Sequence, residues 1–387
     1  INPPVLAMPT SRIFVSPPLR LHACLPCYTS ACAKGKNMAE NYTIYDLARD
    51  CNVSVATISR VINGSDNVSA KTREKVQAAM KAHNYTPNIF ARGMNRMSTS
   101  IIAVFISDIA NPFFADIVKG IEETCRKYEY RIILCITNND MEQEKKELEL
   151  MEQKQVDGFI ICGSRPVEDT NADYLRSLSK AHPVIMVNSR LEGGEKLYSV
   201  LVNEEEAAEA ALDALFSKKA YRALYVFGDR VWQTTADKAT AAEKVAARQG
   251  LPFDRKCIIH CPHTMEAGEQ AARLFLQERA AKGREAGGPP ADAPALIFCV
   301  SDQIAVGALK AFREAGITVG RDLDLLGFSD ISLCALVSPA LTTVNQHMKS
   351  LGEQAANLFV SATNGIVIEE KVFYSDYELV ERESSGR

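Results

Sequence analysis

The feature that most constrains this chain is a pair of short amphipathic segments near its N-terminus, separated by only three residues. Apolar residues recur at helical spacing in both segments, as Ile44, Leu47 and Ala48 in the first and as Ile58, Val61 and Ile62 in the second. The connection at 51–53 is long enough only for a tight turn, and Asn52 tolerates the positive φ that such a turn requires. Ser54 can cap the second segment with its hydroxyl. The pattern predicts a helix-turn-helix.

A third helix is predicted to begin at Ser69 and to carry Val76, Ala79 and Met80 onto the first two helices. The three helices then enclose one small core and leave a polar face on the second helix. A face of this kind suits the major groove of DNA. The alternative interpretation is a three-helix domain that binds another protein, because a short motif can match by coincidence.

The outer face of the second helix carries groups that can read base edges. Arg60 can donate two hydrogen bonds to guanine, while Val55 and Ala56 can contact methyl groups or select by shape. Ser59 lies on the same face. Side chains that can bind phosphates and fix the position of the domain on DNA are predicted at Tyr45, Asn63, Ser69, Thr72 and Arg73.

The phrases TIYDLA, VSVATISRVING, VSAKTREKV and NYTPN-x-x-AR resemble the DNA-binding headpiece of the LacI/GalR family of bacterial transcription regulators. The resemblance runs without gaps from Thr43 to about Met94, and it implies that Val55, Ala56 and Arg60 read bases. The DNA-contacting positions that it implies are Thr43, Tyr45, Ser54, Val55, Ala56, Thr57, Ser59, Arg60, Asn63, Ser69, Thr72, Arg73, Asn88, Ala91, Arg92 and Met94.

The resemblance also implies a hinge behind the headpiece. Residues 87–96 align with a segment that becomes helical on operator DNA in that family. The family wedges a leucine at the end of this segment into the minor groove at the centre of the site, and this chain has Met94 there instead. Because methionine is also an apolar wedge, we expect the kink in the DNA to survive.

Charge is distributed unevenly along the 387 residues. Residues 38–97 contain eight Lys and Arg against five Asp and Glu, whereas the whole chain has a net charge of −4. A basic N-terminal region followed by an acidic remainder is typical of a DNA-binding domain joined to another domain. The apolar runs are too short to span a membrane. Cysteines occur singly, as at Cys125, Cys135, Cys162 and Cys299, which is typical of reduced thiols in a cytosolic protein.

Residues 1–37 show no hydrophobic periodicity and contain several prolines, and Met38 precedes the first recognisable pattern. We expect translation to start at Met38, and we expect the preceding segment to be disordered if it is translated. The His and Cys residues between 22 and 32 have a spacing compatible with zinc. No second ligand pair follows at the distance of a zinc finger, so we expect no metal there.

Beyond residue 98, short apolar runs alternate with helical patterns. Strands of five or six residues between helices imply parallel sheets with helices on both faces. The strands are too many for one sheet, so the sequence predicts two α/β lobes. The predicted strands are 101–106, 131–136, 158–162, 183–187, 198–202, 223–227, 257–260, 296–300 and 323–328, and the predicted helices include one that begins near 112 and those at 141–154, 204–216, 235–249, 265–280 and 303–315. The Gly- and Pro-rich stretch 280–294 is predicted to be a surface loop.

Parallel sheets bind ligands at the carboxyl ends of their strands, and two facing lobes would enclose a cleft there. Polar and aromatic residues follow the predicted strands, a mixture that suits a small polar ligand. Any single residue of this set is as readily explained as a loop or cap residue, so only the whole set supports a site. The set is Asp108, Phe113, Phe114, Ser164, Asn188, Arg190, Asn203, Asp229, Trp232, Ser301, Asp302, Ser329 and Asp330.

The body resembles the regulatory core of the same family, which has the periplasmic-binding-protein type I fold. NPFF, VSDQIAVGALKAFREAGI, DLDLLGFSD and SPALTTVNQ carry this resemblance, which covers residues from about 99 to 383. It implies three crossovers between the lobes, near 217, 345 and 375. It also implies an effector site at Phe113, Phe114, Arg190, Asn203, Trp232, Lys238, Asp302 and Ser329.

Three positions depart from the sugar-binding pattern of the family. Lys238 stands in place of an arginine that usually binds the ligand, Ser329 in place of an aspartate, and Ser301 in place of an asparagine. A sugar or sugar derivative remains the expected effector, because Asp302 and the aromatic residues persist. The alternative is a vestigial cleft in a regulator that a protein partner controls.

These inferences predict an α/β protein with an all-α helix-turn-helix headpiece and a two-lobed core of parallel sheets. The predicted domains are an extension at 1–37, the headpiece at 38–87, a hinge at 88–98 and the core at 99–383. Lobe 1 is expected at about 99–217 and 346–374, and lobe 2 at about 218–345 and 375–383.

The sequence predicts a cytoplasmic transcriptional regulator, most simply a repressor. One headpiece makes few base contacts, so we expect a homodimer that reads a pseudo-palindromic operator in double-stranded DNA. Phosphate-binding glycine loops, HExxH and G-x-S-x-G motifs are missing from the sequence, and His260-Cys261-Pro262-His263 is interpreted as a strand-exit loop. We therefore expect no catalytic residue, cofactor, metal or membrane partner.

Overall fold

The structure is a computed structural model that describes residues 42–62, 67–83, 85, 98–228, 230–282 and 293–386. It divides into an N-terminal unit that ends at Thr86 and a second unit that begins at Pro87. The predicted extension at 1–37, nearly all of the predicted hinge at 88–98 and most of the predicted loop at 280–294 lie outside the described residues.

The N-terminal unit contains the predicted helix-turn-helix. Its helices are α1 (Ile44–Cys51), α2 (Val55–Ile62) and α3 (Ala70–Ala82). Asn52 ends α1 with a φ of 50°, as the short turn requires. The Ser54 hydroxyl accepts a hydrogen bond from the Thr57 amide at 3.1 Å and so caps α2. Leu47, Ile58 and Val76 are fully buried and hold the three helices together.

The first sheet of the second unit is parallel and has six strands within the described residues. Their apolar side chains are mostly buried, as strands covered by helices on both faces require. The strands are β1 (Ile101–Ile106), β2 (Arg131–Ile136), β3 (Gly158–Cys162), β4 (Val184–Val187), β5 (Leu197–Leu201) and β11 (Val372–Tyr374). Their order across the sheet is β11-β5-β4-β3-β1-β2.

The second sheet also has six strands in the part of the chain that the structure describes. The strands are β6 (Ala223–Phe227), β7 (Ile258–Ile259), β8 (Ala295–Cys299), β9 (Leu323–Ser329), β10 (Thr342–Asn345) and β12 (Glu378–Val380). Their order is β12-β10-β9-β8-β6-β7, and β12 runs antiparallel to β10. These two sheets confirm the predicted α/β class, although the predicted strand at 257–260 is reduced to two residues.

Helices cover the sheets on both sides. They are α4 (Pro112–Lys127), α5 (Met141–Gln153), α6 (Ala172–Ala181), α7 (Glu204–Lys218), α8 (Gln233–Arg248), α9 (Met265–Lys282), α10 (Asp302–Glu314) and α11 (Met348–Thr363). Short 3-10 turns occur at Arg255–Cys257, Ser332–Ala335 and Glu383–Ser385. Within the described ranges, no helix combines the length and the apolar character that crossing a membrane requires. The individual predictions omitted α6 and the elements beyond residue 340.

The packing of α7 corrects the predicted first crossover near 217. This helix lies against α8, and ion pairs join Glu205 to Lys244 and Asp213 to Arg248. It therefore belongs with the second sheet, so the chain crosses between the lobes before Glu204. The later passages lie between β10 and β11 and between β11 and β12, since α11 packs on α4, β4 and β5.

Two helix pairs approach each other closely through glycine. A Cβ atom on Gly307 of α10 would lie 1.8 Å from the Met265 carbonyl oxygen of α9, and one on Gly268 of α9 would lie 2.1 Å from the Ile304 carbonyl oxygen of α10. Gly120 of α4 and Gly352 of α11 form a matching reciprocal contact, in which an added Cβ would lie 2.1 Å from the opposing backbone. Only glycine permits backbones to pack this closely.

The cysteine pattern agrees with the expectation of reduced thiols. Cys125, Cys135, Cys162 and Cys299 are free and buried. Burial raises the pKa of the Cys125 and Cys135 thiols to about 12, so they remain protonated and unreactive near neutral pH.

Candidate functional site

The first candidate site is the outer face of α2. Ala56 and Arg60 are exposed one helical turn apart, and Ser59 between them is half-buried. Val55 is also half-buried and packs on the core of the headpiece, so it is less available than the sequence suggested. The exposed part of this face consequently combines one guanidinium with a small residue, which is compatible with entry into a DNA groove.

Hydroxyl groups organise the start of each headpiece helix. Thr43 and Asp46 form a reciprocal capping box, in which the Asp46 amide donates to the Thr43 hydroxyl at 3.3 Å and the Thr43 amide donates to the Asp46 carboxylate at 3.0 Å. The Ser54 and Ser69 hydroxyls cap α2 and α3 by accepting from the backbone amides of Thr57 and Thr72, and each also lies within 2.9 Å of the hydroxyl of the same threonine. These predicted DNA-contacting residues thus also stabilise the helices that carry them.

Other predicted DNA contacts differ in accessibility. Tyr45 is 72% exposed, whereas Arg73 is half-buried. Exposure leaves the Tyr45 hydroxyl able to bind a phosphate without rearrangement. Five further predicted contacts lie outside the described residues, namely Asn63, Asn88, Ala91, Arg92 and Met94.

The second candidate site is a cavity of about 370 Å³ at the carboxyl ends of strands from both sheets. Most of the predicted effector residues line this cavity, as do several other predicted strand-end residues. Those in the lining are Phe113, Phe114, Trp232, Lys238, Asp302 and Ser329, together with Asp108, Ser164, Asn188 and Ser301.

Two predicted effector residues lie elsewhere. Asn203 is the N-cap of α7, where its side chain accepts from the Glu206 amide at 3.3 Å and donates to the Glu206 carboxylate. Arg190 is exposed and is not part of the lining. Of the wider set, Asp330 pairs with Arg382 at 2.7 Å, and Asp229 lies outside the described residues.

Aromatic side chains form one wall of the cavity. Phe113 and Phe114 open α4, where the Asn111 side chain caps the helix, and their rings meet edge to face with centroids 5.1 Å apart. Trp232 precedes α8 and is the only tryptophan in the sequence. Apolar ring faces beside polar groups suit the mixed surface of a small polyhydroxylated ligand.

Lys238 is held in a buried network at the base of the cavity. Its ammonium forms an ion pair with Glu204 and lies 4.2 Å from the centroid of the Phe328 ring. Gln346 donates to the other Glu204 oxygen at 2.8 Å and to Asn188 at 3.3 Å. Because Glu204 begins the helix that follows the first crossover and Gln346 lies in the second, the network connects the cavity to the segments that join the lobes.

Arg165 forms a second buried network in the wall of lobe 1. Its guanidinium binds both carboxylate oxygens of Asp169 at 2.7 and 2.8 Å, and it binds Glu144 at 2.6 Å. Asn171 completes the network by donating to Glu144 at 2.9 Å. Arg165 is 2% exposed, so its charge depends on these partners.

Asp302 accepts structural hydrogen bonds from two other segments, which its position after a strand does not reveal. One carboxylate oxygen accepts from the Thr343 hydroxyl at 2.6 Å and the other from the Ile331 amide at 2.9 Å. Burial is the main cause that raises the pKa of Asp302, and these bonds oppose the rise. The residue therefore ties the loop that follows β9 to β10 at the cavity.

Two loops pair across the cavity mouth, and we call the pairing of residues 164–167 with residues 231–234 the clasp. The Val167 amide donates to the Val231 carbonyl at 2.8 Å, and the Gln233 amide donates to the Arg165 carbonyl at 2.9 Å. The Thr234 amide also donates to the Ser164 hydroxyl at 3.1 Å. Since one loop follows β3 and the other follows β6, the clasp joins the two lobes.

His263 also lines the cavity, although the sequence suggested only a strand-exit loop for it. Its imidazole lies 3.1 Å from the Thr235 hydroxyl. Desolvation, with a smaller contribution from the Lys238 charge, lowers the pKa of His263 from 6.5 to about 4. The described residues hold no group of three His, Cys, Asp or Glu side chains arranged for a metal ion.

This lowered pKa predicts a loss of stability in mild acid. The folded protein binds a proton at His263 less readily than the unfolded chain does. The contribution of His263 to the free energy of unfolding is therefore fully present above pH 6.5 and is lost as the pH drops toward 4. We expect a loss of about 2 kcal/mol between pH 7 and pH 5 from this residue, measured by urea unfolding. His263→Gln should remove most of that loss, whereas His260→Gln, at an exposed neighbour, should retain it. Equal pH dependence in the two variants would refute the assignment.

Several lining residues were not predicted from the sequence. They are Glu204, Gln346, Arg165, Glu144 and Thr234. Gln346 directly follows β10, and Glu204 lies two residues beyond the predicted strand at 198–202, so their positions near strand ends could have identified them. Glu144 lies inside a charged amphipathic helix, and nothing local distinguishes it from its exposed neighbours.

Comparison with known proteins relates both units to regulators of transcription. A family model described as bacterial regulatory proteins, lacI family, matches residues 43–88, and one for a periplasmic binding protein-like domain matches residues 212–385. Catabolite control protein A of Priestia megaterium is 31% identical over 349 residues, which cover 89% of this chain and 99% of that protein. The HTH-type transcriptional regulator DegA of Bacillus subtilis is 30% identical over 312 residues, which cover 81% and 88%.

Solved structures with the same fold include the lac repressor dimer bound to operator and the anti-inducer ONPF. It matches with a TM-score of 0.74 and 23% identity, over 89% of this chain and 99% of that one. A complex of the transcriptional regulator CelR with cellobiose matches with a TM-score of 0.63 and 23% identity, over 88% and 99%. At this identity, the matches show a shared fold.

Proposed function

Because this chain belongs to the lacI family of bacterial regulatory proteins, we propose that it is a repressor whose headpiece binds operator DNA under the control of a small sugar-like effector. The observation that carries the proposal is the presence, in one chain, of an exposed Arg60 face on α2 and a polar and aromatic cavity between two lobes. The first can read bases, and the second can take up a metabolite.

We further propose that the protein acts as a dimer. A single α2 contacts only a few base pairs, and two half-sites held by a two-fold dimer multiply that specificity. The lac repressor, whose fold this chain shares, is a dimer in its operator complex. The expected operator is therefore pseudo-palindromic, and the expected place of action is the cytoplasm, where chromosomal DNA lies.

Control by an effector requires that the cavity and the DNA-binding surface affect each other. A ligand that alters the lobe arrangement would change the spacing of the two hinges in the dimer, with a coupling free energy of about 1–3 kcal/mol. The coupling is reciprocal, so operator DNA must also change the affinity for the ligand. The mechanism involves binding alone and assigns no catalytic step to any residue.

A sugar-like effector is supported by the character of the cavity. It combines Phe113, Phe114 and Trp232 with hydroxyl and amide groups such as Ser164 and Asn188. The CelR regulator, which has a similar fold, is known in complex with cellobiose. A vestigial cleft controlled by a protein partner is not favoured, because the cavity is formed and has a polar lining.

Tryptophan emission provides the test of the effector, because Trp232 is the only tryptophan and lies in the cavity. We expect a neutral sugar or sugar derivative to shift the emission of the full chain during titration. At about 100 times its Kd, the same ligand should stabilise the second unit by about 2.7 kcal/mol. The panel should contain sugars, sugar phosphates, uronates, nucleosides and purines.

The control variant moves the tryptophan. Trp232→Phe combined with Tyr128→Trp puts the single indole on an exposed position outside the cavity, so its emission should not respond to the ligand. If no member of the panel alters either emission or melting while the same protein protects a duplex, the effector part of the proposal fails. Failure to protect any duplex from a genomic fragment library would refute the regulator.

A further inference from the structure

The charged groups that line the cavity are already paired with each other. Lys238 and Arg165 are the Lys and Arg side chains of the lining, as far as the described residues go. Glu204 neutralises Lys238, while Glu144 and Asp169 neutralise Arg165. An incoming ligand therefore meets positive groups whose charge is already balanced.

The pair formed by Lys238 and Glu204 is firmly held. Their side chains are 4% and 2% exposed, so each charge depends on the other rather than on water. Glu204 uses one oxygen for Lys238 and the other for Gln346, whose amide oxygen accepts in turn from Ser329 at 3.1 Å. A ligand that bound Lys238 through its own charge would have to displace Glu204 and break this chain of bonds.

The remaining charges of the lining oppose an anion. Asp302 adds a buried carboxyl group and Asp108 an exposed one, and the low pKa of His263 keeps its imidazole neutral at physiological pH. A negative group on a ligand would be repelled by these carboxyl groups, and most strongly near Asp302, where water does not screen the repulsion. Phosphate and carboxylate groups on a ligand are therefore disfavoured.

Uncharged hydroxyl groups fit the same surface. The buried Ser301 hydroxyl has no hydrogen-bond partner within the described part of the chain, and buried polar atoms are normally paired. Ser301 stands in the lining, where a ligand hydroxyl can complete its bonding. Because a hydroxyl both donates and accepts, it can bond to Ser301 without disturbing the ion pairs.

We propose that Glu204 sets the charge selectivity of the effector site, so that the cavity accepts uncharged polyhydroxylated ligands and rejects sugar phosphates and uronates. This inference rests on the proposed effector function and specifies its ligand class. Glu204 does this by holding Lys238 in an ion pair before any ligand binds. Lys238 would otherwise present a cation to the ligand in the same place.

Inorganic phosphate is a probe that does not require the natural ligand to be known. In the full chain, the wild type should show no phosphate-dependent change in Trp232 emission or in melting temperature. Glu204→Gln retains an oxygen for Gln346 but releases the Lys238 charge, so this variant should bind phosphate about tenfold to a hundredfold more tightly than the wild type. Combining it with Lys238→Gln should abolish the gain.

Glu205→Gln is the matched control. Glu205 is the next residue in the chain and also forms an ion pair, with Lys244, but that pair is at the surface. The control should leave phosphate binding unchanged. Phosphate binding by the wild type, or a Glu204→Gln variant that folds and gains no affinity for phosphate, would overturn the inference.

A second measurement needs no variant. Paired neutral and acidic sugars, glucose with glucuronate and with glucose 6-phosphate, and galactose with galacturonate, should be titrated against the wild type. The neutral member should bind at least about tenfold more tightly wherever either binds. Tighter binding of an acidic member would overturn the charge selectivity while supporting the effector function, and the same protein's protection of a duplex tests the regulator separately.

Discussion

Replacing Arg165 with methionine should lower the free energy of unfolding of the second unit by about 3–5 kcal/mol. The substitution keeps most of the side-chain volume but leaves the buried carboxylates of Glu144 and Asp169 without their cation. Removing one partner of a buried ionic group costs more than the pair contributed, because the remaining charges can reach neither water nor a counter-charge. Urea unfolding followed by circular dichroism would measure the loss.

Arg176→Met is the control for this prediction. Arg176 also pairs with an aspartate, Asp173 at 2.7 Å, but both side chains are substantially exposed. We expect the control to lose less than about 1 kcal/mol, because water screens a surface pair. Similar losses in the two variants would mean that the buried network around Arg165 is not what stabilises this wall of the cavity.

Arg60→Ala should weaken binding to the preferred operator by about 1–3 kcal/mol and relax the base preference at one position of each half-site. Arg60 is exposed on α2, so its removal deletes donors without disturbing the core of the headpiece. Selection of duplexes from a random library, followed by sequencing, would compare the preferences of the variant and the wild type.

Arg73→Ala serves as the comparison for the DNA prediction. Arg73 is proposed to bind phosphate, so its removal should weaken binding to all sequences alike. It should also reduce the slope of the logarithm of the binding constant against the logarithm of the salt concentration by about one unit. Salt titrations of both variants would separate the two roles. An Arg60→Ala protein that retained the full base preference of the wild type would refute the base-reading assignment.

The headpiece could be predicted because its determinants are local. Asn52 provides the turn, Ser54 provides the cap, and the apolar spacing identifies the face of each helix, all within twenty residues. The strands of the second unit could be predicted equally well, since buried parallel strands appear in the sequence as continuous apolar runs. Helix α7 shows the limit of this reasoning, because its amphipathic pattern predicts a buried face and not the sheet on which that face packs.

The cavity was harder to predict because its important contacts join distant residues. Glu204 reaches Lys238 across 34 positions and Gln346 across 142, and no local pattern relates them. Asn203 illustrates how ambiguous a local signal can be. An asparagine after a strand can bind a ligand or cap the next helix with the same side-chain oxygen, and only the structure distinguishes the two roles.

The reciprocal glycine contacts have a mechanical consequence for signalling. With no side-chain layer between their backbones, α4 and α11 cannot slide past each other, and neither can α9 and α10. The first turns of both α4 and α10 reach the cavity, at Phe113 and Asp302, so we expect a ligand that displaces either helix to move its packed partner with it. We expect any change in the relative orientation of the two lobes to be taken up by the three crossovers, which would serve as hinges between the lobes. Substitutions at the glycine contacts should alter stability, whereas substitutions in the crossovers should alter the coupling between ligand binding and DNA binding.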